Sequence, residues 1–172
     1  MSKPGKRRDG REVAVQILFH LDHNTTPLDE ALPSMWDFRN DSDKPLAASD
    51  AVRKFAETLV RGVNLHRRDI DDRITRATSN FELHRIGGVE RAILRLATYE
   101  MVHCLEVPPV VAISEAIEIA KKFGAEEASK FVNGVLDRIR SEVKRPARTP
   151  ARPGPRKSEE TPASPGSKPQ DS

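Results

Sequence analysis

Val89-Glu90-Arg91-Ala92-Ile93-Leu94-Arg95-Leu96-Ala97-Thr98-Tyr99-Glu100-Met101-Val102-His103 is the stretch that decides the fold class of this chain. Following Gly87-Gly88, it is apolar nearly all round, through Ala92, Ile93, Leu94, Leu96, Ala97 and Met101. That is the pattern of a central buried helix. Downstream, Val107-Pro108-Pro109 stops any helix, and Val111 to Phe123 is then cleanly amphipathic. Its charged face carries Glu115, Glu118, Lys121 and Lys122, opposite Ala112, Ala116, Ile119, Ala120 and Phe123, with Gly124 at the position of a left-handed C-terminal cap. A last helix spans about Ala125 to Val143. Upstream, Ser49 is a plausible N-cap for a helix carrying Val52, Phe55, Ala56, Leu59, Val60 and Val63, and a short helix follows through Ile70 and Ile74. Thr26-Pro27 and Lys44-Pro45 bracket a weaker helical stretch from Leu28 to about Trp36. A first helix from about Arg11 to His23 buries Val13, Ala14, Ile17, Leu18 and Leu21. No segment alternates with period two, so the expected fold class is all-α.

Composition narrows the function. The chain has 172 residues, 37% hydrophobic and 5% aromatic, enough for one small domain with a modest core. A single cysteine, Cys104, excludes an internal disulfide framework and a cysteine-based zinc finger, which fits a reducing cytosol. No apolar run approaches bilayer-spanning length and no signal-peptide segment is recognisable, so a soluble cytoplasmic protein is expected. Charge is segregated. Residues 1–11 carry five Lys/Arg against one Asp, residues 12–143 seventeen against twenty-two acids, and residues 144–172 seven against three. The chain thus reads as a basic arm (1–10), a helical body (11–143) and a proline-rich basic tail (144–172) too poor in apolar residues to fold, hence expected to be disordered. Basic ends on a less basic body form the electrostatic footprint of a nucleic-acid binder, although such tails also serve as solubilising segments.

Two helix faces carry residues that do not belong on a solvated surface. In the last helix, Ala128, Val132, Val135, Leu136, Ile139 and Val143 form an apolar stripe, whereas Glu126, Lys130, Gly134 and Asp137 lie opposite and Phe131 sits at the rim. A mid-helix glycine costs roughly 1 kcal/mol, which close approach of another backbone or a ligand usually offsets. The alternative is a solvated face with a Glu126–Lys130 pair. In the first helix, Phe19 falls among Glu12, Val15 and Gln16, with Arg8 on the same side if the helix extends back past Gly10. A phenylalanine beside arginines suits stacking on an unpaired base; equally, the loop at 24–48 or a neighbouring helix covers it. Together the arm and the two aromatics favour single-stranded RNA over duplex DNA, and nothing resembles a helix-turn-helix or zinc module.

Catalytic and metal chemistry lack support. Glu100 falls within the apolar stripe of the central helix, where a buried carboxylate either marks a general acid or base or pairs with an arginine or hydroxyl that ties helices together. It has no nucleophile, phosphate loop or second carboxylate at catalytic spacing. His20 and His23 flank Asp22 without further ligands, and His103-Cys104 beside Tyr99 lacks a third partner. No active site, cofactor or metal site is expected. A helical protein-interaction scaffold that never touches RNA remains the competing class.

Four blocks carry a family resemblance: Arg7-Arg8 with Arg11-Glu12-Val13-Ala14-Val15-Gln16-Ile17-Leu18-Phe19; Val89 to Glu100; Val111 to Gly124; and Lys130-Phe131-Val132-Asn133-Gly134-Val135-Leu136-Asp137. In order and spacing over about residues 7–140 they resemble the NusB transcription antitermination family. The resemblance implies two packed helical subdomains, and binding of the boxA element of nascent ribosomal RNA leaders jointly with ribosomal protein NusE, making RNA polymerase terminator-resistant. It implies RNA-contacting roles for Arg7, Arg8, Arg11, Phe19, Glu127, Lys130 and Phe131, and a NusE contact for Glu90. Asp9-Gly10 interrupts the basic arm, Ser114 stands where asparagine is usual, and the tail lies outside the family core. Related domains also precede the catalytic domain of RNA cytosine methyltransferases, whose glycine-rich cofactor loop and catalytic cysteine motif are not found in this sequence.

Overall fold

Five helices pack around one, because one segment has no polar face left to give to water. The computed structural model describes residues 5–40, 49–79 and 81–143, with the backbone alone for 37–40. Its elements are α1 (Lys6–Asp22), α2 (Leu28–Asn40), α3 (Asp50–Leu65), α4 (Arg67–Ala77), a 3-10 turn at Leu83–Arg85, α5 (Gly88–His103), α6 (Pro109–Phe123) and α7 (Ala128–Glu142). The described residues are all-α, as the periodicity predicts. Helix α5 touches α1, α3, α4, α6 and α7, and its Ile93, Leu94 and Met101 are fully buried. Each such side chain contributes about 1.5–3 kcal/mol on burial. Helix α1 lies against both α3 and α5, so the N-terminal helices α1–α3 join the α4–α7 group through one continuous apolar cluster.

Local signals explain most of the boundaries. Ser49 caps α3, its hydroxyl accepting the Val52 N–H at 3.4 Å. Three boundaries differ from the sequence reading. Helix α1 begins at Lys6 rather than Arg11, with the Arg8 and Asp9 amides bonded to the Gly5 carbonyl at 2.8 and 3.2 Å. Gly10 does not break it, because the Phe55 ring of α3 packs onto its bare Cα; a Cβ there would lie 2.5 Å from Phe55 Cδ1. Close helix contact thus offsets the glycine's intrinsic helix penalty. Residues 6–10 of the expected arm therefore belong to a helix. Pro108 and Pro109 start α6 as well as separating it from α5, since a proline at the first helical position gives up no helical hydrogen bond. Gly124 is extended (φ −87°, ψ 175°) rather than left-handed, and a turn precedes α7, which starts at Ala128 instead of Ala125. Residues 1–4 and the expected disordered tail, 144–172, lie outside the described residues.

Candidate nucleic-acid interface

The outer side of α1 separates the three arm arginines by what they touch. Arg7 is exposed, with its guanidinium 5.5 Å from the centre of the Phe55 ring. Arg8 donates through Nε and Nη2 to the two oxygens of Glu115 on α6, at 2.9 and 2.8 Å. That hydrogen bond holds the Glu115 carboxyl below the usual carboxylate range, against the opposing pull of burial, and raises Arg8 above its ordinary value. Arg11 is different. It is only 4% exposed and donates through Nε and Nη2 to the Glu100 carboxylate of α5 at 2.8–3.0 Å. Its fork is turned inward, where it neutralises the Glu100 carboxylate buried in the central helix. The pair is the helix-tying role anticipated for Glu100.

Further along α1, Phe19 is 39% exposed and its ring lies over Gly88 at the start of α5. A Cβ on Gly88 would sit 2.8 Å from Phe19 Cε2, so the bare glycine makes room for the ring. His23 tilts against Phe19 with ring centres 4.6 Å apart, and its Nδ1 lies 2.8 Å from the Phe19 carbonyl oxygen. His20 is exposed, and no group of three His, Cys, Asp or Glu among the described residues is arranged to hold a metal.

Asp22, between those histidines, anchors a cluster that sequence reasoning missed. Its carboxylate accepts from Arg67 of α4 at 2.8 Å and from Arg91 and Arg95 of α5 at 2.6 and 2.9 Å. Asp71 accepts from Arg67 and Arg95 as well, and Arg91 Nη1 donates to the carbonyls of Leu83 and Ile86. Burial pushes the Asp22 carboxyl up, but attraction to Arg95 and the hydrogen bonds from Arg91 and Arg95 hold it below the usual range. The cluster clamps the end of α1, α4 and the start of α5, and so fixes the backbone that carries Phe19. Arg91 and Arg95 stand four residues apart on one face of α5, so both can reach the same carboxylate.

Glu90 occupies the first turn of α5, where the helix dipole favours a carboxylate. The carboxylate turns back over Gly87 and comes within 3.5 Å of the Ala125 amide, in the turn before α7. Phe19, the α5 start and the α6–α7 turn are thereby brought to one end of the molecule. Just beyond, Lys130 pairs with Glu127 at 3.0 Å, rather than with Glu126, and both are exposed. Phe131 is 40% exposed at the rim of the buried α7 stripe. A Cβ on Gly134 would meet nothing within 4 Å, so no other part of the described chain approaches this glycine.

An all-helical body that leaves Phe19 and Phe131 exposed on helices otherwise committed to the core has the design of a binding protein. The one deeply buried carboxylate among the described residues, Glu100, is held by Arg11. The chain belongs to the NusB family, which matches residues 8–141. It is 44% identical over 142 residues to the transcription antitermination protein NusB of Myxococcus xanthus, covering 83% of this chain and 99% of that protein. Its fold is similar to NusB of T. maritima, with TM-score 0.68 and 36% identity over 83% of this chain and 94% of that one. It is also similar to a chain in a crystal structure of the antitermination factors NusB and NusE in complex with dsRNA, with TM-score 0.67 and 28% identity over 80% of this chain and 98% of that one. Membership makes the chain a non-enzymatic factor. No helix among the described residues is long and apolar enough to cross a membrane.

Proposed function

We propose that this protein binds boxA-type single-stranded RNA of ribosomal RNA leaders jointly with ribosomal protein NusE, in the cytoplasm, as part of an antitermination complex on RNA polymerase. The observation that carries this reading is the pair of phenylalanines, Phe19 and Phe131, left 39% and 40% exposed on helices whose other faces are packed into the core. A solvated phenylalanine face is suited to stacking on a base that has no pairing partner, which favours a single strand. Arg7 and Arg8 lie at the positive end of the α1 dipole and supply phosphate contacts; Arg8 keeps Nη1 outside its bond to Glu115. Lys130 adds a cation beside Phe131, and its partner Glu127 restrains it until a phosphate competes. Glu90 offers NusE a carboxylate at the edge between the α5 start and the α6–α7 turn. Arg11 acts only through the fold, by holding α1 against α5.

The test is a titration of a boxA-like strand and a scrambled strand, with and without NusE. The boxA-like strand should bind more tightly, NusE should strengthen it further, and log K should fall with log salt by about 0.7 per phosphate contact. Equal affinity for both strands, unaffected by NusE, would overturn the proposal.

A further inference from the structure

Beside the proposed contact residues, between the turn that follows α4 and the outer side of α7, lies an open groove of about 380 Å³. Its size is that of a small-ligand site, which typically runs from roughly 300 to 1,000 Å³. Phe81 forms one wall and Phe131 the other, 44% and 40% exposed respectively. The Phe81 amide donates to the Thr78 carbonyl at 3.2 Å, where the chain reverses through Ser79 at φ 57°. Gly134 also lines the groove, with open space where its side chain would be. Two cations line the groove and a third lies against one of its aromatic rings. Lys130 and Arg138 line it, and the Arg85 guanidinium sits 5.7 Å from the centre of the Phe81 ring. Arg138 is aimed by its bond from Nη1 to the Ala77 carbonyl at 2.8 Å.

We propose that this groove holds one unpaired RNA base between Phe81 and Phe131, with Arg138 and Lys130 on the flanking phosphates. The inference rests on the RNA reading above and extends its track from the start of α7 to the α4 turn. Three features favour a nucleotide over an apolar peptide side chain. Two of the lining side chains, Phe81 and Phe131, are exposed aromatic rings, which suit any planar base. The rim is cationic and continuous with Lys130 and Phe131, which the proposed RNA face already uses. Finally, Gly134 is a helix-interior glycine whose missing Cβ would meet nothing within 4 Å among the described residues, as expected where a ligand needs the space a side chain would fill.

The test fills the groove without removing any contact. Gly134→Met adds a side chain into open space and raises helix propensity, so the fold should be retained; Phe81→Ala removes a wall and serves as the second variant. Both full-length proteins, checked by melting temperature, are titrated with boxA-like strands carrying 2-aminopurine at successive positions, including flanking nucleotides. Wild-type protein should perturb the fluorescence at one position that neither variant perturbs, and both variants should bind that strand roughly 5- to 150-fold more weakly, the range for losing one base–aromatic stack. Wild-type affinity and fluorescence in Gly134→Met would overturn the groove proposal while leaving the RNA reading intact. So would unchanged RNA binding accompanied by lost binding to NusE, which would make the groove a protein site. Failure of the wild-type protein to bind any strand would defeat the RNA reading and this inference together.

Discussion

Replacing Arg11 with Ala should act on the fold and leave the RNA contact alone. Arg11 and Glu100 have side chains 5% and 2% exposed, linked by hydrogen bonds of 2.8–3.0 Å between α1 and α5. Removing one member of so buried a pair strands the other charge, at a cost of about 3–5 kcal/mol. A domain of this kind has about 5–15 kcal/mol in all, so the variant should be much less stable and its urea midpoint far lower. The same holds for Glu100→Ala, whereas Arg11→Met combined with Glu100→Leu removes both charges and should recover most of the loss. The assay is urea denaturation of all three, alongside the salt dependence of RNA binding for the folded fraction. Its slope should match wild type, because Arg11 offers no phosphate contact. A stable Arg11→Ala protein whose slope has dropped by about 0.7 would refute the inward assignment.

Other outcomes follow from the same contacts. Gly134→Ala should stabilise the protein by up to about 1 kcal/mol, since nothing meets the new methyl, whereas Gly10→Ala should gain none of this because Phe55 must move; melting temperatures compare them. The Asp22 carboxyl is held below its ordinary value in the folded protein, so the unfolded chain binds the proton more readily. Its contribution should be complete above the unfolded value of about 4 and lost as pH falls below it, and Asp22→Asn should flatten that acid limb in urea titrations. Glu90→Lys should weaken NusE binding while RNA binding by the protein alone is nearly retained; equal loss of both with a lower melting temperature would assign Glu90 to helix stability alone.

The helices were legible because their apolar spacing is set by the core, and Val132, Val135, Leu136 and Ile139 are buried as that spacing requires. The N-terminus of α1 was not, because a glycine within a basic arm reads as a breaker until Phe55, from α3, is known to rest on it. Arg11 and Glu100 show the same limit from two ends. Periodicity marked Glu100 as a buried acid in need of a cation and Arg11 as one of several cations, but their pairing spans 89 positions and no local pattern carries it. Phe19 and Phe131 stood out in the sequence for the reason they stand out in the fold, as aromatics off the apolar stripe. Phe81 gave no such signal, because a short linker has no stripe to depart from.

The most direct test of the proposed face is to map backbone amide shifts by NMR as a boxA-like strand is added to the full-length protein. Shifts should concentrate at Arg7, Arg8, Phe19, Lys130 and Phe131, while exposed Leu65, the last residue of α3, and Leu105, two residues past the end of α5, stay unchanged. Shifts confined to Leu65 and Leu105, with the first group silent, would contradict it.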